Sequence, residues 1–314
     1  MFPSTLSNIY RRPAMNTLFE IIVGGEDLEN DSAAAEAALD EISRVETVLS
    51  RFDPASEVAR VNREAHWHPV LISYELLEIL ELCRSHWEKT SGYFDITANG
   101  ASHDEKINFQ NVMVDSATRR ISFSGPNVKL DFGAFGKGYA LDCAAQMLKE
   151  FGVQNVLLHG GTSSVLAIGT AAQVGLRNPW AESEELENVL LYNQGLSSSA
   201  TFHRGQTTSD IIDPHQCISL HENAACVVIG TTASEAEIFS TALLSMGKER
   251  AEKYCVENLP PNFRVLWIDK DEVHGSAGLQ PLSSVDVQPL YKFCRVNPCP
   301  QLPTGPTAPS ASAS

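Results

Sequence analysis

The residues with the clearest chemical potential lie in one glycine-rich segment, LDFGAFGKGYALD, at Leu130–Asp142. Gly133, Gly136 and Gly138 surround Lys137 between a predicted strand and the start of a predicted helix. Glycines leave backbone N–H groups open to a ligand, and a helix N-terminus attracts an anion, to which a lysine adds a point charge. The spacing matches neither a Walker A loop nor a GxGxxG fingerprint. It indicates either a phosphate-binding loop or a tight turn with a solvated lysine.

A second pair of residues stands on a helix predicted over 234–246. Glu237 and Thr241 are four positions apart in AEIFSTAL, so they share one face of that helix. A carboxylate and a hydroxyl that converge can bind a hard cation such as Mg²⁺ through oxygen. The alternative is an ordinary helix with an exposed glutamate and a threonine that bonds to its own backbone.

Two further segments combine glycine with polar residues. Gly160 and Gly161 close a strand predicted over 155–159, where the bare backbone would let a ring or phosphate approach, although a simple turn is the more common explanation of such a pair. Asp95 lies between two apolar residues in SGYFDITANG, after a glycine turn. Its carboxylate is predicted either to orient a ligand or to cap a backbone turn.

The segment 197–217 carries the remaining candidates. Phe202 is suited to stack on an aromatic ligand, and Arg204 to meet a phosphate. Asp210 and Asp213 are candidate proton acceptors, while Asp213-Pro214 is also a common start of a turn.

The elements that must position these residues are long helices separated by groups of short strands. Hydrophobic periodicity predicts helices over 32–50, 72–89, 138–151 and 234–246, and alternation predicts a hairpin within 107–125. Further strands are predicted at 17–23, 127–132, 155–159, 165–168, 173–177, 188–192, 225–230 and 264–269. This grouping favours an α+β fold, with mixed or antiparallel sheets packed against long helices, over a doubly wound parallel sheet.

Domain organisation is simple. Residues 1–14 are predicted to form a flexible N-terminal arm, 15–295 one domain, and the Pro/Ser-rich tail 296–314 a disordered end.

Composition restricts the partners. The chain of 314 residues has a formal net charge of −16, which disfavours nucleic acid and means that an anionic ligand needs local compensation. Its 7 cysteines are scattered without a CxxC pair, which fits a reducing compartment. No apolar run approaches the roughly 18 residues of a membrane span, and no signal-peptide pattern is seen. We therefore expect a cytoplasmic protein.

Taken in order, these segments resemble the ApbE family, the FAD:protein FMN transferases. The resemblance runs from about residue 13 to residue 270. It rests on motifs in a fixed order: PAMNTLFEIIV, LSRFDPASEVARVN, SGYFDITANG, LDFGAFGKGYALD, NVLLHGGTSSVLAIG, GLRNP, SSSATFHR, SDIIDP and AEIFSTALLSMG.

The resemblance implies a T-fold-like architecture, FAD as substrate, Mg²⁺ as cofactor and a flavin-acceptor protein as partner. A serine or threonine hydroxyl of that partner would attack the FMN-side phosphorus of FAD, and AMP would leave. Some members of the family use water instead. Carried over by position, Lys137 resembles the lysine of the FAD loop, and Ala134, Glu237 and Thr241 the metal ligands. The segments that wrap FAD contain Met15, Asp95, Gly160, Gly161 and Phe202.

The chain also departs from the family pattern. Asn16 replaces the glycine of Met-Gly-Thr, and Glu237 replaces an aspartate. Asp210 stands where a histidine is usual, which makes it the candidate general base, with His203 and His215 as alternatives. The residues 215–217 replace Arg-Thr-Gly. Two alternatives to a flavin transferase follow: an FAD-binding protein without catalysis, and an FAD pyrophosphatase that gives FMN and AMP.

Overall fold

A computed structural model describes residues 7–24, 27–100, 106–169, 171–201, 209–220, 223–269 and 280–281. The strands are β1 Ser7–Ala14, β2 Thr17–Gly24, β3 Val70–Leu71, β4 Val112–Asp115, β5 Arg120–Phe123, β6 Val156–Gly160, β7 Ser164–Ile168, β8 Ala172–Asn178, β9 Ala181–Leu191, β10 Gln194–Ala200, β11 Ile212–Asp213, β12 Ile218–Ser219, β13 Ala224–Gly230, β14 Arg264–Asp269 and β15 Gln280–Pro281. The α-helices are α1 Leu28–Leu49, α2 Glu57–Glu64, α3 Tyr74–Lys89, α4 Gly136–Glu150, α5 Ala233–Met246 and α6 Lys248–Glu257.

The main sheet has eight strands in the order β1-β2-β6-β7-β10-β13-β14-β15. Every neighbouring pair in it is antiparallel. The described strands also form a three-stranded sheet, β3-β5-β4, and two ribbons, β8-β9 and β11-β12. The predicted α+β class is confirmed.

The two faces of the main sheet are covered by different layers. On β13, Cys226 and Val228 pack with Phe239 of α5, whereas the alternate residues Ala225 and Val227 face the β8-β9 ribbon. Because successive side chains of a strand point to opposite faces, a strand buried on both sides reads as a continuous apolar run. The sequence AACVVIG of β13 has that form, and all seven of its residues are buried.

Two expectations about secondary structure were wrong, and two elements were missed. Residues 7–14, predicted as part of a flexible arm, form β1 and pair along their whole length with β2. Residues 127–132, predicted as a strand, contain no regular structure, since their hydrogen bonds go to loop partners such as Ile96. Strand β10 and helix α6 were not predicted. Strand β10 is rich in serine, which does not indicate a strand, and its partners β7 and β13 lie elsewhere in the chain.

The hairpin between β1 and β2 closes through Met15 and Asn16. Their φ angles are 49° and 57°, and the register joins Ala14 to Thr17 across a two-residue loop. Two consecutive left-handed residues form a type I′ turn, in which asparagine is one of the favoured residues. Asn16 therefore preserves the turn conformation that a glycine would adopt at this position.

Within the described ranges, no helix combines the length and the apolar character that a membrane span requires.

Candidate active site

The N-termini of α4 and α5 abut each other, and this junction places the predicted residues. Gly138 allows the close approach, because a Cβ there would overlap the carbonyl oxygen of Ala233 and lie 2.7 Å from the Ser234 Cα. The carboxylate of Asp142 accepts hydrogen bonds from the N–H groups of Ala233 and Ser234, at 2.9 and 3.0 Å. These are the first N–H groups of α5, which have no partner within their own helix. The junction is thus held by a backbone contact and a carboxylate cap.

Lys137 and Glu237 meet at this junction, although they lie 100 positions apart in the chain. The Lys137 Nζ forms an ion pair with Glu237 Oε1, and the Gly138 N–H donates to Glu237 Oε2 at 2.6 Å. Glu237 is only 3% exposed. The alternative of an exposed glutamate on an ordinary helix is therefore wrong. A buried carboxylate is stable here because one ammonium and one N–H group at the start of α4 compensate its charge.

Thr241 lies one helical turn after Glu237 and belongs to a chain of hydroxyl groups. Its Oγ1 is 3.1 Å from Ser199 Oγ, which is 2.8 Å from Ser240 Oγ. Ser240 in turn donates to Ser197 Oγ at 3.2 Å. Strand β10 and helix α5 therefore bring several hydroxyl groups together at Thr241, one helical turn after Glu237.

These oxygens are suitable ligands for a hard cation. Mg²⁺ prefers carboxylate, hydroxyl, carbonyl and water oxygens, and it commonly takes only one or two ligands from protein carboxylates. Glu237 and Thr241 provide such donors, and Ala134 lies in the turn directly before α4. Within the part of the chain that the structure describes, no group of three or more His, Cys, Asp or Glu residues could hold a metal. A cation at Glu237 would therefore depend on one carboxylate, and it would meet Lys137 there.

The two predicted glycines and Met15 come together on the neighbouring strands. The N–H of Gly161 donates to the Leu18 carbonyl at 3.0 Å, and its φ of 68° is a conformation that glycine adopts readily. A Cβ at Gly161 would overlap Thr17 Oγ1, beside the Met15-Asn16 turn. The Met15 N–H donates to Glu46 Oε1 at 2.7 Å. The turn before β2 and the turn after β6 therefore lie side by side.

Helix α4 links this pair of turns to Lys137. A Cβ on Gly160 would lie 3.6 Å from the Leu141 Cδ1, and Leu141 follows Lys137 by about one turn of α4. Of the predicted flavin-binding positions, Gly160 thus borders the helix that carries Lys137, and Gly161 follows it directly in the chain.

Asp95 serves a structural role. Its carboxylate accepts hydrogen bonds from Trp87 Nε1 at 2.8 Å, from the Phe109 N–H at 3.0 Å, and from the N–H and hydroxyl of Thr97 at 2.8 and 2.6 Å. Burial raises the pKa of Asp95, while these hydrogen bonds act in the opposite direction. Of the two predicted roles, the structure shows the turn-capping one. Asp95 is also one of the residues that line a groove of about 540 Å³ beside Trp87 and His215.

The segment around Asp213 forms a compact hairpin. Asp213 is buried and accepts hydrogen bonds from the His215 N–H and the Gln216 side chain, at 2.8 and 2.7 Å. Cys217 has a φ of 56°, so it occupies a left-handed position that glycine would fill without strain. The turn-starting role predicted for Asp213 is confirmed.

Asp210 is exposed and directly precedes the hairpin. His215 contacts the Ser91 carbonyl through Nε2 at 3.0 Å, so it anchors the hairpin to the turn before Asp95. Phe202, His203 and Arg204 lie outside the described residues.

Sequence reasoning missed two residues of the junction. Asp142 ends the glycine-rich motif, and a carboxylate on the inner side of a predicted helix was the available signal. Ser199 carried no such signal, because its neighbour Thr241 lies 42 positions later in the chain.

A family comparison agrees with this geometry. The model of the ApbE family matches residues 15–267. The chain belongs to the ApbE family. Among curated ApbE relatives, a protein of Klebsiella pneumoniae (strain 342) named FAD:protein FMN transferase is 25% identical over 249 residues, which is 70% of this chain and 78% of the relative.

Solved ApbE structures share the fold. The ApbE protein of Thermotoga maritima has a TM-score of 0.78 at 21% identity, covering 88% of this chain and 97% of that one. The flavin transferase ApbE of Vibrio cholerae has a TM-score of 0.72 at 18% identity, covering 88% and 96%. At these identities the structural likeness establishes the α+β architecture.

Proposed function

We propose that this chain catalyses the Mg²⁺-dependent transfer of FMN from FAD to a serine or threonine hydroxyl of a partner protein, with release of AMP. Its membership of the ApbE family and the names of its relatives support the reaction class. The observation that carries the proposal is the ion pair of Lys137 with the buried Glu237 at the junction of α4 and α5, with Thr241 one helical turn after Glu237 on α5. A lysine can neutralise charge on a pyrophosphate, and carboxylate and hydroxyl oxygens can hold a metal ion that does the same.

The net charge of −16 makes this local arrangement necessary. FAD carries a negatively charged pyrophosphate, and an acidic surface repels it at long range. The Lys137 ammonium would compensate this charge locally. When bound, Mg²⁺ would supply further neutralisation of the pyrophosphate, and we assign Glu237, Thr241 and the Ala134 carbonyl to hold it.

The remaining residues have positioning roles in this proposal. Met15 and Gly161 lie in two neighbouring turns, and Gly160 ends the strand before the second turn; we assign this pair of turns to the flavin side of FAD. Asp95 holds the Trp87 ring and the Phe109 backbone, so it would act on FAD only through those neighbours. Phe202 remains a predicted contact of the flavin.

The chemical step is a displacement at phosphorus. The acceptor oxygen forms a bond to the FMN-side phosphorus, the bond between that phosphorus and the bridging oxygen breaks, and AMP leaves with the bridging oxygen. The proton of the acceptor hydroxyl needs a base, for which Asp210 is our candidate. We expect Asp210→Asn to lower kcat while the dissociation constant for FAD changes little.

The test is a turnover assay with FAD, Mg²⁺ and a threonine-containing peptide of the flavinylation type. Chromatography and mass spectrometry should show AMP and FMN-labelled peptide in equal amounts, and neither should form after chelation of the metal. The same peptide with alanine in place of threonine is the acceptor control. Thr241→Val should abolish both products, whereas Thr241→Ser, which retains the hydroxyl, should restore them. Absence of AMP and of labelled peptide would contradict the proposal.

A second candidate function follows from Asp210 and from the changes at residues 215–217. If the base is missing, the chain binds FAD without turnover, and quenching of FAD fluorescence would occur without AMP release. If water is the acceptor, FMN and AMP form without a labelled peptide. The same assay therefore separates transferase, pyrophosphatase and carrier. A cytoplasmic location and the exclusion of nucleic acid stay predictions from the sequence.

A further inference from the structure

Glu237 is a carboxylate whose two oxygens already have partners. Oε1 is paired with the Lys137 ammonium, and Oε2 accepts the Gly138 N–H at 2.6 Å. The glutamate side chain is almost fully buried, while the lysine side chain is 23% exposed. The lysine is thus the partner with access to solvent, and it is the one that can leave.

Simultaneous binding of an ammonium and a divalent cation to this carboxylate is electrostatically unfavourable. Both need close contact with the same oxygens, and two cations held a few ångströms apart in a partly buried site repel each other strongly. Lysine carries its charge on a flexible four-carbon stem, which lets it withdraw from the carboxylate without a change in the backbone.

We propose that the Lys137 ammonium and a divalent cation are alternative occupants of the Glu237 carboxylate. In the protein without metal, Lys137 neutralises Glu237 and keeps the junction of α4 and α5 closed. A divalent cation binds when Lys137 withdraws toward the solvent side of the loop. The inference rests on the proposed function for the identity of the metal-binding residues.

This arrangement gives Lys137 two positions with separate tasks. Paired with Glu237, it removes the cost of a buried unpaired carboxylate. Withdrawn, its charge is available to an anion such as a pyrophosphate. Anion binding and metal binding would then support each other, because each favours the same position of one side chain.

The first test measures Mn²⁺ binding to the full chain without FAD, by the electron paramagnetic resonance signal of free Mn²⁺. Lys137→Met should tighten Mn²⁺ binding about tenfold or more, because it removes the competing charge. Lys137→Arg, which retains a competing cation, should bind Mn²⁺ no more tightly than the wild type. Glu237→Gln should abolish binding in both the wild-type and the Lys137→Met backgrounds.

A matched variant separates competition from a general effect of charge. Arg51 forms an ion pair with Asp131 at 3.3 Å, and Asp131 belongs to the same glycine-rich segment as Lys137. Arg51→Met also removes one positive charge, but from a residue that pairs with Asp131. We expect it to change the Mn²⁺ affinity by less than about twofold.

The second test uses the wild-type protein, so it does not depend on the folding of a variant. Reductive methylation of Lys137, followed by peptide mass spectrometry, should be severalfold faster at saturating Mn²⁺ than without metal. Lys129, whose Nζ contacts the Asn62 carbonyl at 2.5 Å, is the internal reference and should be unaffected.

Three outcomes would overturn the inference: no Mn²⁺ binding to any form, unchanged affinity in Lys137→Met, or unchanged methylation of Lys137 at Mn²⁺ saturation. None of these readouts needs turnover. Failure of FMN transfer with tighter Mn²⁺ binding in Lys137→Met would leave the inference standing. Intact FMN transfer by the wild type, together with unchanged Mn²⁺ affinity in Lys137→Met, would refute this inference and leave the proposed function standing.

Discussion

Glu237 and Asp95 are two carboxylates inside the same protein, and both come from segments that predicted a ligand site. Asp95 accepts four hydrogen bonds from its own surroundings, from Trp87, Phe109 and Thr97. Glu237 accepts one backbone N–H group and pairs with a lysine that is open to solvent. One carboxylate is enclosed by fixed donors, whereas the other has one partner that can be exchanged.

The difference shows how a polar residue in a motif is to be interpreted. Hydrogen bonds from backbone and ring N–H groups hold a carboxylate in place and leave little capacity for a ligand. A flexible charged side chain also neutralises a carboxylate when no ligand is bound, but a stronger ligand can displace it. We therefore expect changes at Asp95 to affect stability, and changes around Glu237 to affect binding and turnover.

The largest expected effect concerns the backbone contact that brings Glu237 to α4. Gly138→Ala would force a Cβ against the Ala233 carbonyl, so the free energy of unfolding should fall by about 3 kcal/mol or more. Gly136→Ala is the matched control, because a Cβ there would lie 3.7 Å from Leu49 Cδ1, an ordinary contact. It should change stability by less than about 0.5 kcal/mol in urea denaturation. Equal losses of stability in the two variants would show that α4 and α5 can move apart at Gly138 without cost.

The second prediction concerns the enclosed carboxylate. Asp95→Asn replaces an acceptor oxygen by an NH₂ group that faces donors, so at least one buried donor loses its partner. The free energy of unfolding should fall by about 2 to 3 kcal/mol in urea denaturation at neutral pH. The dissociation constant for FAD should change little in the fraction that remains folded. A variant of normal stability with weakened FAD binding would reverse the contrast with Glu237.

The third prediction concerns His86, which lies between the two regions. It stands on α3, next to Trp87, and packs edge-on against Phe239 of α5 with ring centroids 5.5 Å apart. Its Nδ1 is buried and has no hydrogen-bond partner among the described residues. Burial lowers the pKa of His86 from 6.5 to about 4.

At pH values between about 4 and 6.5, His86 binds a proton in the unfolded chain but not in the folded protein. The contribution of His86 to stability is therefore complete above pH 6.5 and is lost as the pH falls toward 4. The slope should reach about 1.4 kcal/mol per pH unit. His86→Phe should remove this part of the slope when unfolding is measured from pH 7 to pH 5. The same dependence of unfolding free energy on pH in the wild type and in His86→Phe would show that burial does not lower the pKa of His86.

The smallest effect is expected at Cys217, in the hairpin that His215 anchors beside Asp95. Cys217→Gly should raise the free energy of unfolding by about 0.5 kcal/mol, because glycine adopts the φ of 56° without strain. Cys217→Ser retains a side chain and should leave stability near that of the wild type. A loss of stability in Cys217→Gly would mean that the cysteine side chain contributes more than its backbone strain costs.

Much of the fold follows from local patterns. Apart from α6, the helices and most strands of the core have strong periodicity or apolar runs, and α5 was predicted to within one residue. Strand β10 was missed, because its serines carry no strand signal and its partners β7 and β13 lie elsewhere in the chain. Residues 127–132 alternate like a strand but bond to loop atoms, so tertiary contacts override the pattern.

The site could be predicted only in part. The glycines and Lys137 gave a local signal, and the spacing of Glu237 and Thr241 placed them on one helix face. Their meeting could not be derived from local patterns, since it depends on the packing of two helix N-termini. The role of Asp95 could not be decided either, because its donors Trp87 and Phe109 come from different elements.

The separation of Lys137 from Glu237 has a consequence for folding. The chain between them contains β6 to β13, which supply four of the eight strands of the main sheet. Closing so long a loop is entropically costly and is compensated only when those strands have paired. During synthesis, the lysine leaves the ribosome long before the glutamate is made. The incomplete chain therefore has no assembled site, and the ability to bind metal at Glu237 should develop together with the final closure of the sheet.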